Sequence, residues 1–475
     1  MRPPTAVLRR ATLAALLALQ LAAPVAAKSR TAADEIDRYL SIREEMGGFS
    51  GAALVAKGGK VLLRKGYGFA DIERRIRFTP ETQHEVASVS KMFTAMAVLI
   101  LRDRGKLKLD DPVCRYVDDC PESWKPITID QLIHHTSGIP DYEEKLELGS
   151  DRYNAFMARP EASAEIFANA RKLPLDFAPG SKFSYSNTGY IVLGRIVERA
   201  AGVKFEDFVV ENILKPAGMT SSGVLGSRVP PARLATGYTH GDLGWEKVLG
   251  GASLTDGHLN RVPRLALTPP EGDAWLYSTV DDLYRWSLVM DGGSFVSAAD
   301  IAEIFRPGSG DYGCGWFVQQ AFDRRRYRHN GLLPGYLTDV IKFPDDRLTI
   351  ILMSNVDRAR LDRVARDVSA IALGTPYDMP VRGAVVKLSR EQLARFEGSY
   401  RFADGSVVRV ENGPDLLTAS IEGRYTAGLI PMSATAFYMP LADGRVTFTA
   451  RTDGRIVRIN LRYSGEDHVA DRVEQ

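Results

Sequence analysis

The run Met92-Phe93-Thr94-Ala95-Met96-Ala97-Val98-Leu99-Ile100-Leu101 is apolar at every position but Thr94. A helix without a polar face has to be covered on all sides. The chain must therefore build a core thick enough to enclose it. Its 475 residues allow that and suggest more than one domain. Immediately before the run stands Ser88-Val89-Ser90-Lys91, the one Ser-x-x-Lys in the sequence. Positions i and i+3 of a helix share a face. The spacing thus sets an amine beside a hydroxyl where a buried helix opens. A serine hydroxyl is a weak nucleophile until a base stands within hydrogen-bond reach. An amine in apolar surroundings, which disfavour its charged form, is such a base. Ser88 and Lys91 are candidate nucleophile and amine partner.

Bulk properties narrow the class. Residues 1–27 read as a secretory signal: Arg2, Arg9 and Arg10 at the start, an apolar stretch from Ala11 to Leu21, then Pro24-Val25-Ala26-Ala27 as a small-residue cleavage site. The segment is short for a membrane span. A periplasmic or secreted protein with no lasting membrane anchor is expected. Its three arginines exceed the whole chain's net charge of +2, so the remainder is slightly acidic. That, and the lack of a basic stripe with aromatics, excludes nucleic acid as the expected partner. An oxidising compartment permits a disulfide. Cys114 and Cys120 could close a small loop or stay as thiols, and Cys314 reads as a small buried residue. Neither the cysteines nor the seven histidines have metal-ligand spacing, so no metal and no cofactor is expected.

Periodicity divides the remainder. A helix is predicted over Ala32 to Met46, then a hairpin of Gly51 to Lys57 and Lys60 to Phe69 around Gly58-Gly59. Helices dominate from Thr128 to Ala217: Thr128 to His134, Asp151 to Arg171, Thr188 to Ala201, and Phe205 to Leu214. Another begins at Ser278 or Thr279. Strands return at Gly315 to Ala321, Arg325 to His329, Tyr336 to Phe343 and Leu348 to Ser354, before an amphipathic helix over Arg358 to Leu373. Strands at both ends with helices between them predict one α+β domain, residues 28–373, whose sheet joins the two ends. Pro376 and Pro380 mark a linker, 374–386. From 387 to 475, short alternating strands are punctuated by Asp404-Gly405, Asn412-Gly413, Asp443-Gly444 and Asp453-Gly454, which favour hairpin turns. They predict a small antiparallel barrel or sandwich with no catalytic set of its own.

Two further motifs follow Ser88 in order. Tyr185-Ser186-Asn187 is the one Tyr-x-Asn in the chain, and His329-Asn330-Gly331 the one His-x-Gly. A phenol before a helix can shuttle a proton. An Asn amide can hold a substrate amide. A glycine on a strand edge permits close approach of another backbone.

Taken together, these motifs resemble the serine β-lactamase and penicillin-binding-protein superfamily, nearest its class C β-lactamase-like branch. That branch includes D-aminopeptidases, D-alanyl-D-alanine carboxypeptidases and esterases. The resemblance spans about Ile36 to Leu373 and extends to His135-Thr136-Ser137-Gly138 and Tyr312-Gly313-Cys314-Gly315-Trp316. The tail resembles an appended lipocalin-like barrel. The resemblance implies a β-lactamase/transpeptidase-like fold, in which an antiparallel sheet is flanked by helices and a helical subdomain. It implies a covalent acyl-enzyme on Ser88, with proton traffic shared between Lys91 and Tyr185. The backbone N–H groups of Ser88 and Leu332 would form the oxyanion site. Asn187, His329 and Gly331 would bind substrate, and His135 would hold a turn. Where many members carry lysine, this chain has His329, which lacks lysine's permanent charge for a substrate carboxylate. The expected activity is hydrolysis of D-residue peptides, peptidoglycan-derived peptides, amides or small esters. A β-lactamase proper and a catalytically silent sensor are the alternatives.

Overall fold

A computed structural model describes residues 30–45, 48–146, 155–157, 159, 162–225, 233–240, 259–262, 272–292, 296–380, 386–412, 417–421, 425–439, 444–463 and 466–473. The predicted signal segment lies outside them. The central element is a six-stranded sheet, antiparallel throughout. In chain order its strands are β1 (Gly51–Lys57), β2 (Lys60–Tyr67), β3 (Phe317–Ala321), β4 (Arg324–Leu333), β5 (Tyr336–Phe343) and β6 (Leu348–Ser354). In space the order is β3-β4-β5-β6-β1-β2, so the two ends of the region meet where Gly51 pairs with Ser354 and Lys57 with Leu348.

The sheet separates two cores. On β1, Ala52, Leu54 and Ala56 face one and Ala53 and Val55 the other, as a period of two requires. The first core holds α2 (Ser90–Asp103), which carries the apolar run, together with α3 (Ile129–Ile133), α4 (Asn187–Ala201) and α5 (Val280–Val289). Apart from Ile100, every residue of the apolar run is buried. The second core is covered by α1 (Ala32–Glu45) and α6 (Leu361–Leu373). Central β5 and β6 are buried at every position.

Some expected boundaries move, each for a local reason. Ser88 does not open the α-helix. It lies in a 3₁₀ turn, Ala87–Val89, and the helix begins at Ser90. The strand predicted from Gly315 starts at Phe317, because Gly315 has φ of +76° and a Cβ there would lie 2.8 Å from the Lys91 carbonyl oxygen. The strand predicted to stop at His329 runs on to Leu333, continuing to pair with β5. Within the helix predicted over Asp151 to Arg171, Ala162–Ala170 forms one, while residues 151–154 are outside the described set. Thr279 caps α5, accepting from the Asp282 N–H. Cys114 and Cys120 form a disulfide, and Cys314 is buried.

The C-terminal strands, running from Gly398 to Arg472, form a closed eight-stranded barrel. Phe396, Tyr400, Phe437 and Phe448 pack together within its core, with Phe396 and Phe448 centroids 4.5 Å apart. Its interior is a packed core. Arg462 of the barrel pairs with Asp378, 2.9 Å away in the connecting segment.

Candidate active site

Ser88 sits on a tightly held turn. The preceding Ala87 has φ of +50°, a left-handed conformation that costs an L-residue roughly 1–2 kcal/mol. Neighbouring backbone retains it: Val86 N–H donates to Leu276 O (3.0 Å), and Leu276 N–H donates to Ser90 Oγ (3.0 Å). Ser88 is partly exposed, whereas Lys91 is 0% exposed.

The Lys91 amine donates three hydrogen bonds, to Ser88 Oγ (3.0 Å), Asn187 Oδ1 (2.7 Å) and the Asp273 carbonyl oxygen (3.1 Å). It also lies 5.0 Å from the Tyr185 ring centroid. An ammonium has three protons, and all are used. Two of the acceptors, a carbonyl and an amide oxygen, can only accept. When the amine gives up a proton, it must therefore be the one facing Ser88, and the lone pair is left pointing at the hydroxyl. The Asn187 amide is held in this orientation from behind. Asp141 accepts from the Asn187 backbone N–H and, at 3.5 Å, from Asn187 Nδ2.

Tyr185 stands over the same amine. Burial pushes its phenol above the usual range. The Lys91 charge and hydrogen-bonding contact with Ser88 and Lys91 pull it back down. Ser186 caps α4, its side chain accepting from the Gly189 N–H, so Tyr185 and Asn187 are presented where the loop becomes helix.

His329 is 1% exposed, and both of its ring nitrogens are engaged within the protein. Nδ1 lies 2.8 Å from the Asn330 carbonyl oxygen, which can only accept, so Nδ1 carries the proton. Nε2 then accepts from the Tyr312 hydroxyl at 3.0 Å. Burial first, then the Lys91 charge, lower its pKa to about 3. The position expected to meet substrate is thus a neutral imidazole packed among Tyr312, Phe317 and Tyr185. Gly331 also differs from expectation. The space its Cβ would take is filled by the Val86 carbonyl oxygen at 2.1 Å and Ala87 Cβ at 3.0 Å. Its small size serves contact with the turn that carries Ser88. Leu332 pairs with Leu337, one step in from the Leu333–Tyr336 pair that closes the hairpin. Antiparallel alternation then turns the Leu332 N–H away from β5, toward the edge that β3 leaves unpaired beyond Arg328.

The structure thus gathers Ser88, Lys91, Tyr185, Asn187 and His329 around one amine and sets Gly331 against the serine turn. Four contributors escaped sequence reasoning: Asp141, Asp273, Leu276 and the Tyr312 hydroxyl. Asp141 and Tyr312 stand in or beside motifs that carried the resemblance. Asp273 and Leu276 act partly or wholly through backbone atoms, which leave no sequence signal.

Buried histidines also set a pH dependence. Unfolded histidine titrates at about 6.5. Burial lowers His84 to about 4 and His329 to about 3, and takes His135 well below its ordinary value. Between pH 6.5 and those values the unfolded chain binds protons that the native state refuses, so stability falls as pH falls. For His84 the loss by pH 5 is about 2 kcal/mol. Asp141, Asp273 and Asp339, raised by burial, act in the opposite sense. The histidine share is therefore read by difference. In urea unfolding at pH 7.5 and 5.0, wild type should lose about 2 kcal/mol more than His84→Asn. Equal losses would contradict the assignment.

Comparison with known proteins agrees with the geometry. The Beta-lactamase family model matches residues 36–373. The chain is 32% identical over 420 residues to Penicillin-binding protein 4* of Bacillus subtilis, covering 85% of this chain and 91% of that protein. It is 31% identical over 358 residues to a D-aminopeptidase of Brucella anthropi, covering 72% of this chain and 63% of that one. An octameric penicillin-binding protein homologue from Pyrococcus abyssi shares the fold, with a TM-score of 0.65 at 23% identity, over 92% of this chain and 99% of that one. With a family match that takes in every residue gathered around Lys91, the chain belongs to the beta-lactamase family and is a serine hydrolase.

Proposed function

We propose that this chain is an exported hydrolase that cleaves amide or ester bonds of small, uncharged or amine-bearing substrates, D-residue amides and peptides among them, through an acyl-enzyme on Ser88. The observation that carries this reading is the Lys91 amine: its nitrogen lies 3.0 Å from Ser88 Oγ, and the position facing Ser88 is the only one of its three not directed at an obligate acceptor. In this reading Lys91 acts as the neutral amine, its Ser88-facing proton already given up, and its lone pair takes the Ser88 proton as Ser88 attacks the substrate carbonyl. The oxyanion is held by the N–H groups of Ser88 and Leu332, each such donor contributing about 10²–10³ in rate. Tyr185, kept protonated by burial, hands a proton to the leaving group and recovers one from Lys91. Asn187 orients the substrate amide. Water then attacks the ester and releases the acid.

The substrate class follows from charge. The neutral His329 offers no cation to a substrate carboxylate. Similarity to a D-aminopeptidase supports the same direction. Export rests on the basic and apolar character of residues 1–27.

A panel of D-amino amides, D-Ala-D-Ala peptides, short-chain esters and nitrocefin, run on wild type and Ser88→Ala, tests the proposal. Turnover of amides or esters that Ser88→Ala lacks, with little turnover of nitrocefin, is the expected result. Equal labelling of wild type and Ser88→Ala by a fluorophosphonate would overturn the nucleophile assignment. Efficient Ser88-dependent nitrocefin hydrolysis would overturn the substrate class.

A further inference from the structure

We propose that His135 is the positioning residue for Tyr185, and that its δ nitrogen is the atom through which it acts. The inference rests on the reading of Tyr185 as the proton carrier. The His135 backbone carbonyl accepts from the Ser184 N–H at 2.9 Å, and its side-chain Nδ1 accepts from the Ser186 N–H at 3.0 Å. One residue thus takes a hydrogen bond from each side of Tyr185. Its ring lies under the phenol, with centroids 4.3 Å apart, and is backed by Tyr190 at 4.9 Å and Tyr312 at 4.6 Å. The imidazole is therefore both a floor for the phenol and a clasp on its backbone.

This accounts for the His-Thr-Ser-Gly turn as a whole. The loop that leads to Tyr185 is laid along it: Asp176 N–H donates to Gly138 O (2.9 Å), Gly180 N–H to Thr136 O (2.7 Å) and Ser186 Oγ–H to Ile139 O (3.2 Å). A Cβ on Gly138 would meet the Phe177 carbonyl oxygen at 2.2 Å, so the turn and loop are in backbone contact. His135 itself has φ of +55°. A non-glycine residue in that region needs compensation, and the two clasped N–H groups supply it. Because Nδ1 accepts, the ring is neutral with its proton on Nε2, and Nε2 has no hydrogen-bond partner among the described residues. A buried N–H left without a partner costs roughly 1–3 kcal/mol. A side chain kept only for stability has no reason to carry that ε nitrogen. A ring of this size with an acceptor at the δ position supports Tyr185 from below and behind at once.

Four variants separate the roles. His135→Asn keeps an acceptor near the δ position and tolerates positive φ. His135→Gln carries its amide one carbon further out. His135→Gly satisfies φ alone, and His135→Leu satisfies neither φ nor the hydrogen bond. The expected order of kcat is His, Asn, then Gln, Gly and Leu, with the last three down by about 10²-fold, the scale of a misplaced catalytic group, and KM little changed. Should Gly and Leu fail to fold, the Asn–Gln pair decides, each compared by kcat per fluorophosphonate-reactive site. Each change is repeated on Tyr185→Phe, where the remaining rate should be insensitive to residue 135. If Tyr185→Phe turns over like wild type, the reading of Tyr185 itself fails. If Tyr185→Phe is slow and His135→Gln slows it further by the factor seen in wild type, the His135 inference fails alone. Equal kcat for Asn and Gln would also overturn it.

Discussion

Lys91→Met should lower turnover by on the order of 10⁴-fold, at the upper end of what a single positioned proton carrier contributes, while the fold should survive. The rate loss follows from the three hydrogen bonds of the amine. Only the one to Ser88 can be given up without stranding an acceptor, and the phenol of Tyr185, which also contacts Ser88, is kept protonated by burial and is a poor replacement base. The stability argument has two opposed parts. Removing the amine leaves Asn187 Oδ1 and the Asp273 carbonyl without their donor, at roughly 1–3 kcal/mol each. It also removes a fully buried cation, whose desolvation costs several kcal/mol. The two are of similar size, and methionine fills nearly the same volume. The unfolding temperature should therefore stay within a few degrees of wild type. Steady-state kinetics on an activated ester, beside a thermal melt, checks both parts. A loss of less than about tenfold would remove Lys91 from the proposed mechanism.

The second large effect is at Gly331. A Cβ there would sit 2.1 Å from the Val86 carbonyl oxygen, and real Cβ atoms essentially never come within 3.0 Å. Backbone must move by about 1 Å, and the backbone in question is two residues before Ser88. Ala87 already occupies a left-handed conformation, so the turn has little room to yield. Gly331→Ala should destabilise the protein by about 1–3 kcal/mol, as overpacking does. It should also slow acylation by about 10²-fold, as a misplacement of about 1 Å does. A glycine kept open for substrate predicts something else: an unaltered melt and a KM that rises only with bulky acyl groups. Fluorophosphonate labelling rate and melting temperature distinguish the two.

The sheet and the apolar helix were legible because alternation and an all-apolar run are strong periodic signals, and strands Tyr336 to Phe343 and Leu348 to Ser354 fall where the pattern put them. Ser88, Lys91, Tyr185 and Asn187 were legible because short motifs fix residue type at fixed spacing, and the structure brings them to one amine. Contacts set by tertiary approach were not. Nothing local in Asn330-Gly331 says that Val86 lies against it, nor that Tyr312 will occupy the His329 ring. Spacing could not show Ser88 in a 3₁₀ turn either, because that turn depends on Gly331 and Leu276 from distant segments. His135 was legible as a turn residue. Its hold on the Ser184–Ser186 backbone depends on two N–H groups some fifty residues downstream.

The pairing of β1 with β6 has a kinetic consequence. Gly51 can pair with Ser354 only after some three hundred intervening residues have been made, and a Cβ at Gly51 would lie 1.7 Å from the Met353 carbonyl oxygen. The register leaves no room for a side chain at Gly51. Closing so long a loop comes before its contacts give any return, which places this pairing late in folding. During synthesis the hairpin of β1 and β2 waits with the β1 edge unpaired, and β6 is nearly the last part of the region to be made. A nascent chain of this kind stays open until it is almost whole, and its N-terminal half is the segment most in need of protection from aggregation until then.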